Sequence, residues 1–199
     1  MEPTENEAPP PKKNSTTPKE RIDTLSKLTD EERTWVAELQ EQMVKENIQR
    51  KFTNFQLAQF AIVGKGNVPK TIKRVKKYIS CIEEFKMDDI TQEEALTYML
   101  DENGPMHKAF LHSNNNRDRD GRVVLYTAAG KIIPSEVCKD EKDTNLMAKC
   151  LFLMFDTVNA TIEDTRRGCS MVSFMDGFGW KNFSLKLEKK MSKLYQDAY

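Results

Sequence analysis

Two runs of basic residues share one spacing. Lys70, Lys73, Arg74 and Lys77 stand at i, i+3, i+4 and i+7, and Lys186, Lys189, Lys190 and Lys193 repeat the pattern. On a helix this spacing puts four cations on one face. The chemistry open to such a face is attraction of anions. An anionic membrane surface would hold it at about 1 kcal/mol per basic residue. A solvated helix face accounts for the same spacing without any ligand.

No other residues assemble into a reactive set. Cys81, Cys138, Cys150 and Cys169 are scattered, with no CxxC pair and no zinc spacing. They read as reduced packing thiols of an intracellular protein. His107 and His112 have no acidic or cysteine partner at ligand spacing and read as surface histidines. Gly64-Lys65-Gly66, before Pro69-Lys70-Thr71, lacks the spacing and the preceding strand of a phosphate loop, so it reads as a turn between helices. Asp176 beside Gly177 can cap a turn. With no nucleophile, base and acid in sight, the expectation is a non-enzyme without metal or cofactor.

Charge and hydropathy narrow the class further. Lys+Arg and Asp+Glu balance at 31 each, which argues against a general nucleic-acid binder. Residues 1–20 contain no apolar stretch of signal-peptide type, and Glu2 excludes N-myristoylation. No apolar run approaches the roughly 18 residues needed to span a bilayer. A cytoplasmic protein, touching membranes only peripherally, is expected.

Capping and periodicity give the elements that must position these residues. The proline-rich, polar segment 1–24 reads as a disordered tail. Thr29 and Glu32, Thr53 and Gln56, and Thr91 and Glu94 fit the starts of three helices. A fourth begins near Asn67, with Pro69 in its first turn. Met106 to Leu111 reads as a short helical turn. Arg122 to Thr127 is the first strand. A long helix then runs to about Asp164, with Leu146, Met147, Cys150, Leu151, Met154, Phe155, Val158 and Ile162 on one apolar stripe. Met171, Val172, Phe174 and Met175 are apolar on both faces, the pattern of a covered strand in a parallel sheet. Gly177 and Gly179 turn the chain into a last helix capped by Asn182. The order is an α/β pattern with a helical front end.

Three places carry a likeness to a known family: Phe60 to Thr71; Asp118-Arg119-Asp120-Gly121-Arg122-Val123-Val124-Leu125 with Gly130-Lys131; and Val172-Ser173-Phe174-Met175-Asp176-Gly177-Phe178 with the closing Gln196-Asp197-Ala198-Tyr199. In order and spacing they resemble the CRAL-TRIO (Sec14-like) lipid-binding family. Ile62 and Gly64 stand where that family often has arginines, and Phe174 where its strand usually carries an acidic residue. The resemblance implies a helical N-terminal subdomain over 25–87 and a partial CRAL-TRIO-type β-α-β sheet domain over 88–199. In the family, further strands, a mobile gate helix and much of the lipid cage lie beyond the segment matching Tyr199. An incomplete C-terminus, an open sheet edge and self-association are therefore expected.

The implied function is binding of a hydrophobic lipid, phosphoinositides among the candidates, and its movement between membranes. The implied pocket is floored by the sheet, with Tyr126, Phe155, Phe174, Met175 and Phe178 as its wall. The same residues suit a packed core equally well. The rival reading is a protein-interaction module that has lost lipid caging. The expected partners are a lipid ligand, an anionic membrane surface and, on the rival reading, a protein; nucleic acid is not expected.

Overall fold

The computed structural model describes residues 24–111 and 116–194. Helix α1, Asp30–Lys45, starts at a capping box. The Thr29 hydroxyl accepts from the Glu32 amide at 3.1 Å, and the Glu32 carboxylate accepts from the Thr29 amide at 2.8 Å. Thr53 and Gln56 start α2, Asn54–Gly64, in the same way. Each cap satisfies amides that have no intrahelical partner and is worth about 1 kcal/mol. Lys65 ends α2 in the left-handed conformation, and Gly66 follows with φ 71°. A side chain at Gly66 would press into the Trp35 indole, so the turn needs glycine there for both reasons. Helix α3, Val68–Glu84, begins with Asn67 accepting from the Lys70 amide at 3.0 Å. Helix α4, Gln92–Leu100, starts at the Thr91–Glu94 capping box.

Helix α5, Pro105–Ala109, runs directly into β1, Phe110–Leu111. The sequence reading placed helix there and missed the strand, because two residues carry no period-2 signal. Only pairing identifies β1: it lies antiparallel to β2, Val123–Ala128. Helices α6, Pro134–Val137, α7, Glu141–Val158, and α8, Ile162–Arg167, cross over to β3, Cys169–Phe174, which pairs parallel with β2. Helix α9, Leu185–Lys193, follows the turn after β3. The sheet order is β1-β2-β3, an α/β arrangement with a helical front.

Two further expectations are corrected. The long helix does not reach Asp164. It stops at Val158, where Asn159 Nδ2 donates to the Phe155 carbonyl, and Thr161 caps α8 anew by accepting from the Asp164 amide at 3.0 Å. Both residues compete with helical hydrogen bonding, and together they outweigh the apolar period. Asn182 does not cap α9. Its Nδ2 donates to the Gly130 and Ile132 carbonyls at 3.0 Å each, and its Oδ1 accepts from the Gly179 amide at 2.8 Å. Ser184 takes the capping role instead, its hydroxyl accepting from the Leu187 amide at 3.3 Å.

One buried cluster runs from Leu39 and Phe60 through Val75, Phe85 and Met106 to Leu151 and Leu194. It joins the helical front to the helices that back the sheet. Phe60, Tyr78 and Phe152 form its aromatic heart, with ring centroids 5.2 and 5.3 Å apart. The expected boundary at 87/88 passes through this cluster. The expected tail, residues 1–24, falls almost wholly outside the described residues.

Two ion pairs hold α8, and with it the start of β3. Arg166 donates from Nε and Nη2 to the two carboxylate oxygens of Glu32, at 2.8 and 2.6 Å, and from Nη2 to the Lys27 carbonyl at 2.9 Å. The Arg166 hydrogen bond outweighs burial and holds the Glu32 carboxyl below its usual pKa. Arg117 donates to Asp164 at 2.6 Å, and the Thr161 hydroxyl donates to the other oxygen at 2.7 Å. Burial works against the Asp164 charge, but these hydrogen bonds win and the pKa is lowered.

Candidate functional site

The parallel register divides β2 and β3 into two faces. Leu125 packs with Phe155 and Val158 of α7, so the side that also carries Thr127 and Ser173 is the helix-backed face. Tyr126 pairs with Val172 and Ala128 with Phe174 on the opposite side. There the Tyr126 and Phe174 rings stack with centroids 6.1 Å apart. Phe174 is 48% exposed.

The covered strand expected over Met171 to Met175 is therefore corrected. All of β3 except Ser170 is exposed, although its pairing is parallel as expected. Helix α7 packs against β2, and among the described residues β3 pairs on one edge only. Apolar composition on both faces marks a strand suited to cover, but the cover itself is a tertiary fact.

The exposed apolar surface continues past the strand into Met175, Phe178, Trp180 and Phe183. Polar clamps rather than apolar burial fix this turn. Asn182 ties it to the exit of β2, and the Asp176 carbonyl packs so close to Gly130 that a side chain there would overlap it. The backbone is thus anchored while Trp180 remains 93% exposed. At the other end of β3, the Ser170 hydroxyl donates to Asp118 at 2.6 Å, and the Arg122 amide donates to the same carboxylate. The Ser170 hydrogen bond leads the causes that lower the Asp118 pKa. The Asp118 to Arg122 motif thus serves as an Asx-type turn that aligns β2 with β3.

The five residues expected to wall one pocket are not brought together. Tyr126 and Phe174 share the open face, and Met175 and Phe178 are exposed just beyond it. Phe155 lies behind the sheet and lines a separate cleft of about 430 Å³, with Phe60, Ile62, Val63, Lys65, Arg74 and Tyr78 and the Thr165 to Cys169 junction. Alternation along β2 causes the split, since Leu125 and Tyr126 must face opposite ways.

The basic runs are divided as well. Lys70, Lys73 and Lys77 are exposed on α3, but Arg74 is turned inward and its Nη1 is buried. In the second run, Lys189 is exposed on α9, and the side chains of Lys186, Lys190 and Lys193 lie outside the described residues. His112 lies outside them too. Sequence reasoning missed Trp180 as a surface feature and Arg74 as a cleft residue. The glycines flanking Phe178 were the available signal for the first. Nothing in the α3 period separates Arg74 from its lysine neighbours.

Residues 106–199 match the family model of the CRAL/TRIO domain. This stretch is similar to the CRAL/TRIO domain. The match takes in β2, β3, the exposed turn and α9, and so contains the whole open apolar face. CRAL/TRIO domains form a family of lipid-binding and lipid-transfer modules. No curated protein and no solved structure matches the chain. No helix among the described residues is long and apolar enough to cross a membrane.

Proposed function

We propose that this CRAL/TRIO-like domain binds a hydrophobic lipid against the open face of β2 and β3 and carries it between membranes, with phosphoinositides as the ligand class to test first. The observation that carries the reading is the continuous exposure of Val172, Phe174, Met175, Phe178 and Trp180 on a backbone held by polar clamps. Contiguous exposed apolar surface of this kind marks a site of interaction. A rigid support means that a ligand is not charged for ordering the strand. Lys70, Lys73 and Lys77 on α3 and Lys189 on α9 supply cations for a transient anionic membrane contact.

The test uses purified full-length chain, native mass spectrometry and solvent extraction of any retained lipid. Trp180 provides a second readout: its emission should shift to shorter wavelength when lipid covers it, and Trp180→Phe should remove that shift. Retention of one lipid class together with the Trp180 shift supports the proposal. No lipid in the native spectrum and no shift on adding phosphatidylinositol or phosphatidylcholine vesicles would overturn it. A stoichiometric protein complex with the shift intact would favour the protein-interaction reading.

A further inference from the structure

The cleft behind the sheet is lined by a guanidinium group that has one nitrogen without a hydrogen-bond partner among the described residues. Arg74 of α3 is half-buried on the wall of this space, and its Nη1 is that nitrogen, itself buried. The other guanidinium groups on the wall are matched: Arg166 by Glu32, Glu163 and the Lys27 carbonyl, and Arg167 by Glu163 at 3.0 Å. Lys65 stands exposed on the same wall. Among the described lining residues the one carboxylate is Asp156, which has an interaction of its own.

A buried guanidinium nitrogen without an acceptor is costly, far more so than a neutral donor. An acceptor from outside the chain would remove that cost. Guanidinium and ammonium groups lining one space suit a group with several oxygens, and phosphate fits this best. Phe60, Tyr78 and Phe155 make the floor apolar, which lowers the local dielectric and strengthens the pairing. The volume, about 430 Å³, accommodates a phosphate with a small organic group attached.

We propose that this cleft binds a phosphate-bearing ligand, with Arg74 Nη1 as the buried donor and Lys65 as the cation at the rim. The site adjoins the helix-backed side of the sheet, opposite the open apolar face, and does not depend on the lipid reading. The phosphate can belong to a soluble ester or to a lipid headgroup.

Thermal melts of the full chain in inorganic phosphate, glycerol 3-phosphate and ionic-strength-matched chloride test the site. Binding at a hundredfold excess over Kd raises the melting temperature by about 5–10 °C. Arg74→Gln should abolish that rise while folding at least as well as wild type in chloride, because the unpartnered guanidinium nitrogen is gone. Lys65→Gln, at an exposed position, keeps the fold and should weaken phosphate binding about tenfold, the loss of one favourable charge contact. Co-sedimentation with phosphatidylcholine vesicles, with and without phosphatidylinositol phosphate, separates the two sources. Recovery that needs both the phosphoinositide and Arg74 assigns a headgroup. Melting shifts with soluble phosphates alone assign a free ester. An unresponsive wild type in both arms, or equal responses from wild type and Arg74→Gln, overturns the proposal. The Trp180 emission shift with lipid should survive Arg74→Gln, so failure here is distinguishable from failure of the lipid reading.

Discussion

Replacing Phe174 by alanine separates a packed core from an open binding face. Phe174 is 48% exposed, so only about half of its ring is removed from water on folding. Fully burying a phenylalanine is worth about 3 kcal/mol, which leaves about 1.5 kcal/mol here. Its stacking on Tyr126 adds about 0.5–1 kcal/mol. Solvent reaches the site, so truncation leaves no sealed cavity and adds no cavity penalty. The expected cost is therefore about 2 kcal/mol, against about 3–5 kcal/mol for the same change in a closed core. Urea melts of wild type and Phe174→Ala, analysed at constant m, give the number. A parallel pair with saturating lipid gives the second half of the test. Lipid covering this face should stabilise wild type more than the variant, and retained lipid should fall in the variant. A cost above about 3 kcal/mol in the free protein would show that Phe174 is sealed in a core. Equal lipid stabilisation of both chains would show that the ligand lies elsewhere. Either result would refute the reasoning.

The other expectations follow from individual side chains. Glu32→Gln breaks a part-buried pair whose exposed Arg166 half keeps Glu163, so a cost of about 1–3 kcal/mol, the range for hydrogen bonds to charged groups, is expected in chemical denaturation. Because the folded pKa of Glu32 lies below its ordinary value of 4.5, the pair's contribution is fully present above that value. It is lost as pH falls through the lower folded value, and melts across this window should show a weaker acid dependence in Glu32→Gln than in wild type. Burial pushes the Cys150 thiol up to about 12, and its Sγ donates to the Ala95 carbonyl at 3.2 Å. Alkylation near neutral pH, mapped by mass spectrometry, should label exposed Cys169 long before Cys150, and equal rates would contradict the packing. Changing Lys186, Lys189, Lys190 and Lys193 together to glutamine keeps helix propensity and removes charge. Co-sedimentation with anionic vesicles should fall by up to about 4 kcal/mol in binding free energy, and wild-type binding should weaken as salt rises. Equal, salt-independent recovery of both chains would exclude α9 as the membrane contact.

Local signals made much of the architecture legible from sequence. The capping boxes at Thr29, Thr53 and Thr91 name their own helix starts, because side chain and amide lie three residues apart on the chain. The apolar residues from Met171 to Met175 announced a strand in a parallel pair, and the order of motifs announced the likeness to the CRAL/TRIO domain. None of these requires knowledge of what packs on what.

Tertiary placement decided the rest. Strand β1 exists only because β2 pairs with it. Asn182 looked like a cap, yet it serves as a clamp because the Gly130 and Ile132 carbonyls come within reach of its amide. The period of α3 groups Arg74 with three exposed lysines, and only the approach of α2, α7 and α8 makes it the half-buried wall of a cleft, with its Nη1 shut away. The sequence by itself determined which residues are apolar, which are charged and where the helices with capping boxes begin. Which apolar residues remain open to solvent, and which guanidinium nitrogen is shut away from it, depended on contacts between residues far apart in the chain. Glu32 and Arg166, 134 residues apart, meet in this way and have no period or motif to announce them.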